Sequence, residues 1–226
     1  MQLEITRDGS HTLFLPQMNE HYHSTFGAIT ESMHVFIRNG LYHMADRPEI
    51  TIFEVGFGTG LNALLTAIAA IERGISVTYY AIEKYPLGKE ITDTLNYPAL
   101  LSHGDQQPHD LFTAIHRAPW NQLSIIHDGY HLHKISGDLA DFSPEFNYDL
   151  IYFDAFAPEK QPEMWTGVIM NRLISHLNAG GIFATYCAKG AVRRMLKENG
   201  LSMERLPGPP GKREMLRGVK KVTGDW

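Results

Sequence analysis

The sequence predicts an α/β domain built on a mainly parallel sheet. Three observations predict it. Short β-branched or aromatic runs alternate with helical patterns along most of the chain. Residues 50–62, ITIFEVGFGTGLN, run from an apolar stretch through three glycines straight into an alanine-rich helical pattern. The apolar runs then close in turn on Gly56, Glu83, Gly137-Asp138 and Asp154. Right-handed crossovers bring the carboxyl ends of such strands to one side, so these closing residues are expected to share a site.

In chain order, residues 3–15 alternate polar and apolar around Asp8-Gly9, which predicts a hairpin. Residues 19–27 (NEHYHSTFG) read as a loop. Ile29, Met33, Phe36 and Ile37 are spaced for a helix over 28–39, which Gly40 can end. A strand over 50–55 precedes a helix over 60–72, and 75–82 (ISVTYYAI) is a second strand ending on Glu83. Helical segments are expected over 86–94 and 110–116, and a third strand over 130–136. Residues 148–153 (YDLIYF), almost wholly apolar, suit a strand buried on both faces. A helix over 164–177 is broken by Gly180-Gly181. A strand over 182–187 follows, then a helix over 191–198. Residues 201–206 and 214–219 are expected to form a final antiparallel pair across the PGPPGK link.

The 226 residues, 43% of them hydrophobic, suffice for a substantial core. A lone cysteine, Cys187, excludes a disulfide framework. There is no leader pattern and no membrane-length apolar run, so a cytoplasmic protein with no membrane partner is expected. Net charge is −5, yet residues 189–226 hold ten Lys or Arg against four Asp or Glu. That asymmetry points to a polyanionic partner. His21, His23, His34 and His43 have no recognised zinc spacing, and no metal is expected.

Gly56, Gly58 and Gly60 permit a sharp turn and close approach to the main chain. A dinucleotide fingerprint would need Gly or Ala where Leu61 stands, and a P-loop would need Gly-Lys-Ser/Thr. Glu54 before the turn suits a cationic ligand, Glu83 can accept ribose hydroxyls, and Asp138 can accept an exocyclic amine. A nucleoside with a cationic tail and no phosphate is S-adenosylmethionine. Asp154, in the DAFAP loop, can orient an amine beside an aromatic ring.

EVGFGTGLN, DAFAPEKQPEMW, GAVRRML and GPPGKREML, together with ESMHVFI near the start, resemble the MnmC methyltransferase family, the tRNA (5-aminomethyl-2-thiouridine) methyltransferases. The resemblance implies a Rossmann-like, class I S-adenosylmethionine-dependent fold. Its sheet would be mostly parallel and seven-stranded, with an antiparallel C-terminal strand. Residues 1–45 would form a hairpin-and-helix extension packed on the core, and 46–226 the methyltransferase domain. It also implies methylation of the aminomethyl nitrogen on C5 of the tRNA wobble uridine.

Carried over, Glu54, Gly56, Gly58 and Gly60 line the methionine side of the cofactor, with Asn62 also cofactor-binding. Glu83 takes the ribose and Asp138 the adenine. Asp154 matches the family's base, and Phe156 and Pro158 shape the substrate loop. Arg193, Arg194, Lys197, Lys212, Arg213 and Arg217 are candidates to contact tRNA phosphates. The match is poorest over 95–127, where nothing is assigned. Nothing resembles the flavin-dependent oxidase part of bifunctional members, so an upstream enzyme on a separate chain is expected to supply the aminomethyl group. Two other readings stay open from sequence: a methyltransferase of small amines, and a non-catalytic RNA-binding module on the same fold.

Overall fold

The computed structural model describes residues 1–44 and 46–221; residue 45, at the expected domain boundary, and 222–226 lie outside the described residues. The chain opens with β1 (Gln2–Ile5) and β2 (His11–Leu15), paired antiparallel as the alternation predicts, and a two-residue β3 (Glu20–His21) completes a small sheet. The Asp8 carboxylate of the hairpin turn accepts the Thr30 backbone N–H at 2.8 Å, and so caps the following helix.

That helix differs from the expected one. It begins as α1 (Ala28–Ser32) and continues as a π-helical stretch over Met33–Arg38. Its buried residues include Ala28, Glu31, Ser32, Val35 and Phe36, an i, i+3, i+4, i+7, i+8 series with two polar members.

The main sheet is built from β4 (Glu49–Val55), β5 (Ser76–Glu83), β6 (Gln122–His127), β7 (Tyr130–Ser136), β8 (Tyr148–Phe153), β9 (Leu177–Thr185), β10 (Leu201–Pro207) and β11 (Glu214–Lys220). Its order is β10-β11-β9-β8-β4-β5-β7-β6. The strands β9, β8, β4, β5 and β7 are parallel, whereas β6, β10 and β11 run antiparallel to their neighbours. Among the described residues, eight strands stand in this sheet where seven were expected.

The added strand, β6, pairs with β7 across Asp128-Gly129, where Gly129 has φ +77°. The same Asp-Gly signal marked the first hairpin, but here the edge strand exposes Leu123 and Ile125 and lacks the polar alternation. β9 also starts five residues before the expected 182, because Leu177 already pairs with Tyr148 before a register shift.

The helices α2 (Leu61–Arg73), α3 (Lys89–Thr92), α4 (Tyr97–Leu101), α5 (Gln107–Arg117), α6 (Gly167–His176) and α7 (Gly190–Glu198) complete the fold. α2 and α5 share one core with Ile50 and Ile52, while α6 and α7 share the other with Phe53 and Val55. This alternation along β4 puts Glu54 on the α2 face, where it is fully buried. No helix among the described residues is long and apolar enough to cross a membrane.

Candidate functional site

The order of the sheet reverses at β4. The chain proceeds from β4 to β5 and β7 on one side, then returns to place β8 on the other. The crevice at the carboxyl ends of β4 and β8 is the switch point where α/β sheets bind ligands. The loops there are tied together: the Gly56 and Phe57 N–H groups donate to Ile82 O, Asp154 N–H to Val55 O, and Gly137 N–H to Glu83 O.

A cleft of about 440 Å³ opens at this point, lined by Gly56, Gly58, Asn62, Glu83, Asp138 and Asp154 among others. Six of the eight expected cofactor-binding or catalytic residues therefore meet on one surface. Two do not. Glu54 has no exposed surface, and Gly60 does not line the cleft.

The glycine turn works differently from a bare ligand cradle. Gly56 has φ +89°, and a Cβ there would lie 3.0 Å from Asp154 O. Gly60 has φ +73°, and its Cβ would meet His116 Nε2 at 2.9 Å and the Phe57 ring at 3.1 Å. Much of the close approach that these residues allow is therefore by the protein itself. Glu83 fixes the turn further, since it accepts the Gly58 N–H at 3.0 Å through one oxygen and the Tyr85 N–H at 2.8 Å through the other. Asp138 accepts from Lys84 at 2.6 Å and from the Ala140 N–H at 2.9 Å. The Lys84 hydrogen bond, then the Ala140 N–H, hold its carboxyl below the usual range.

Asn62, in the first turn of α2, organises the carboxylates. Its Nδ2 donates to Glu54 Oε1 at 2.9 Å and to Asp154 Oδ2 at 2.8 Å. With a carboxylate on either side the amide must present its NH₂, which leaves Asn62 Oδ1 buried and unpartnered. Burial, more than any neighbour, raises the Glu54 carboxyl well above its ordinary value. Asp154 is pushed up to about 7, first by burial and then by the charge of Glu31, against the Asn62 hydrogen bond and Lys212.

The N-terminal segment contributes walls that the loop reading of 19–27 did not foresee. Tyr22 lies over Gly58 and meets the Phe156 ring edge-on at 5.4 Å. His23 Nε2 hydrogen-bonds Thr59 Oγ1 at 2.8 Å, and burial holds that imidazole down to about 4, so it is neutral. Lys160 Nζ donates to Met18 O at 2.7 Å, joining the loop after β8 to the same segment.

Behind Asp154, Phe156 and Tyr22 lies a second cavity of about 360 Å³, reaching Glu31, Tyr186 and Lys212. Phe156 lines both cavities; Pro158 lines neither. The loop is held by Trp165 Nε1, which donates to Phe156 O at 2.8 Å, and by the Tyr186 hydroxyl, which donates to Ala155 O at 2.9 Å.

The basic residues divide. Arg194 and Lys197 on α7 and Arg213 are exposed, and Arg193 is half-buried. A broad depression carries Lys189, Arg205 and Arg213 and meets the second cavity at Ala157, Tyr186 and Lys212. Two residues depart from the expected phosphate-facing set. Lys212 turns inward to pair with Glu31, and Arg217 is buried, its Nε donating to Glu204 at 2.6 Å and its Nη1 to Asn39 O. Cys187 is buried and its thiol is raised by that burial, as its apolar setting suggested.

A glycine turn opening a helix at the switch point, acidic residues closing the next two strands, and a buried carboxylate at β8 together define a Rossmann-like class I methyltransferase. The residues present fit S-adenosylmethionine: the cleft carries the carboxylates Glu83 and Asp138, which can accept hydroxyl and amine donors, and Asn62, whose buried Oδ1 has no partner among the described residues. Residues 109–221 match the model of an S-adenosyl-L-methionine-dependent methyltransferase family. The chain belongs to that family, and S-adenosylmethionine is its cofactor.

The chain is 32% identical over 220 residues to the tRNA 5-methylaminomethyl-2-thiouridine biosynthesis bifunctional protein MnmC of Nitrosospira multiformis, covering 91% of this chain and 35% of that protein. It is 33% identical over 236 residues to the MnmC protein of Cupriavidus metallidurans, covering 98% and 34% respectively. The chain thus spans about a third of the length of the curated relatives it matches. The crystal structure of MNMC2 from Aquifex aeolicus superposes with a TM-score of 0.80 at 26% identity, over 98% of this chain and 70% of that one. The motif-based resemblance to the MnmC methyltransferase family is borne out.

Proposed function

We propose that the chain transfers a methyl group from S-adenosylmethionine to the aminomethyl nitrogen on C5 of the wobble uridine of tRNA, giving 5-methylaminomethyl-(2-thio)uridine. The observation that carries this reading is the position of Asp154, which lies on the wall of both the cofactor cleft and the second cavity. An acceptor amine in the second cavity meets Asp154 without entering the cofactor's space. The names of the relatives supply the acceptor's identity, and the exposed Arg213, Arg205 and Lys189 beside the cavity suit the phosphates around a base inserted there.

When bound, the cofactor supplies an electrophilic methyl group. The chain's own residues then have two tasks. One is orientation, which is worth up to about 7–11 kcal/mol where reacting groups are well placed. The other is deprotonation: a primary alkylamine titrates near the lysine value of about 10.4, so it arrives as an ammonium. Asp154 accepts that proton at its carboxylate. Raised to about 7, it is a far better base than an ordinary aspartate, and Asn62 fixes its orientation.

The aminomethyl group comes from a preceding modification of the same uridine, and the site of action is the cytoplasm. Nucleoside mass spectrometry of tRNA from cells lacking the protein should show loss of the methylaminomethyl nucleoside and build-up of its aminomethyl precursor. An unchanged nucleoside profile would refute the reaction. Faster methylation of free amines than of tRNA by the purified chain would favour the small-amine reading instead.

A further inference from the structure

The second cavity contains charge and hydrogen-bonding groups that the reaction as described leaves unused. Glu31 is 7% exposed and Ser32 1%, and the Ser32 hydroxyl has no hydrogen-bond partner among the described residues. Both side chains line the cavity. Glu31 is held in place, since Oε2 accepts the Ser24 N–H at 2.9 Å and Oε1 pairs with the Lys212 ammonium. That ammonium sits 3.8 Å from the centroid of the Tyr186 ring, which keeps it on its side of the cavity.

The charges around this space do not balance. Among the described residues, the carboxyls of Asp154, Glu31 and half-buried Glu20 line this space with one lysine, Lys212, while His21 is paired with Glu4. His23, on the same wall, is neutral, and Glu54, outside the cavity, is joined to Asp154 by the Asn62 amide. Carboxyls outnumber the cation, so a negative charge on Asp154 is unfavourable, in line with its raised titration, unless a proton or a cation offsets it. A single incoming ammonium does so.

We propose that Glu31 is a second anchoring carboxylate of the acceptor cavity, holding the ammonium form of the acceptor amine beside Asp154, with the Ser32 hydroxyl available to the base that carries it. This rests on Asp154 being the carboxylate that faces the amine. A primary ammonium has three N–H donors, enough to serve both carboxylates at once. One N–H bond then breaks, its proton moves to an Asp154 carboxylate oxygen, and its electron pair stays on nitrogen. Glu31 stays paired with Lys212 throughout. The site thereby selects a cationic primary amine over a neutral group of the same shape.

The test uses the whole chain, S-adenosylhomocysteine calorimetry and tRNA bearing 5-aminomethyluridine at the wobble position. Glu31→Gln keeps the hydrogen bond from Ser24 and should leave cofactor-product affinity within twofold. It should raise KM for the tRNA at least about tenfold, the scale of one hydrogen bond to a charged group. Glu31→Asp should recover part of that loss.

The acidic limb of the kcat/KM profile should also move to lower pH in Glu31→Gln. The groups facing Asp154 are Glu31 from α1, Lys212 from the β10–β11 link, Asn62 from α2 and Tyr186 after β9. Removing the Glu31 charge takes away a group that raises Asp154 and leaves Lys212 to lower it. An unchanged KM and an unmoved limb in Glu31→Gln, with an active wild type, would overturn the role of Glu31 alone. Lost cofactor affinity would mark Glu31 as structural and overturn it too. A wild type that does not methylate this tRNA would overturn both the reaction and the anchor.

Discussion

Asp154 carries opposite consequences for activity and for stability, and both follow from the direction of its shift. Its carboxyl in the folded chain titrates at about 7, well above the ordinary 3.8. Only the ionised form accepts a proton, so kcat/KM should rise with pH and level off above roughly neutrality. A limb near pH 4 would show that another group controls the rate. For stability the sign reverses. The folded state holds this proton more tightly than the unfolded chain, so folding loses stability as pH rises from about 4 towards 7. Asp154→Asn should therefore reduce turnover by about 10²-fold or more. At pH 8 the same change should raise stability by about 1 kcal/mol, roughly 2–4 °C in Tm for a chain of this size. Calorimetry at pH 8 and at pH 5 separates these effects, since the gain should fade at the lower pH.

At the scale of elements, the glycine turn and the N-terminal segment act as one clamp. Gly60→Ala would force a residue with a Cβ into φ +73° and into His116 and Phe57 at once. A loss of about 1–2 kcal/mol is expected, together with weaker cofactor binding, because the same turn presents Gly58 to Glu83. Tyr22→Ala should behave differently. It removes a wall over Gly58 but no part of the main sheet, so cofactor affinity should fall several-fold while Tm changes little. Isothermal titration with parallel thermal melts reads both.

Sequence periodicity located the strands that end at the site, because buried parallel strands are short apolar runs with sharply defined polar ends. β8 matches the expected 148–153 residue for residue. It did not reveal β6, whose exposed Leu123 and Ile125 follow no half-buried alternation. Nor did it reveal the role of α1. Taking Ile29, Met33, Phe36 and Ile37 as the core stripe placed Phe36 and Ile37 correctly but hid the stripe that Phe36 shares with Ala28, Glu31, Ser32 and Val35. Two polar residues on that stripe were the available signal for a cavity.

At the scale of the whole molecule, the net charge of −5 hides an organised surface. Lys189, Arg205 and Arg213 surround the depression leading to the second cavity, while Lys212 and Arg217 are used inside the protein. Counting basic residues along the chain indicated a basic segment but not which of its charges face out, because ion pairs such as Glu31–Lys212 join residues far apart in sequence. Replacing Arg205 and Arg213 with alanine should weaken tRNA binding and flatten the plot of log affinity against log salt by about one unit per lost phosphate contact. Arg217→Ala should instead lower Tm, since its guanidinium ties β11 to Glu204 and to Asn39 O.

The single amide of Asn62 that joins Glu54 to Asp154 makes the two halves of the reaction thermodynamically reciprocal. A ligand that shifts the Asn62 amide from the cofactor side changes the proton affinity of Asp154, and so the affinity for the amine. The amine must then alter cofactor affinity by the same factor, because coupling free energy has no preferred direction. Measured in both orders of addition, the two factors should agree in the wild type. In Asn62→Ala, both should fall towards one.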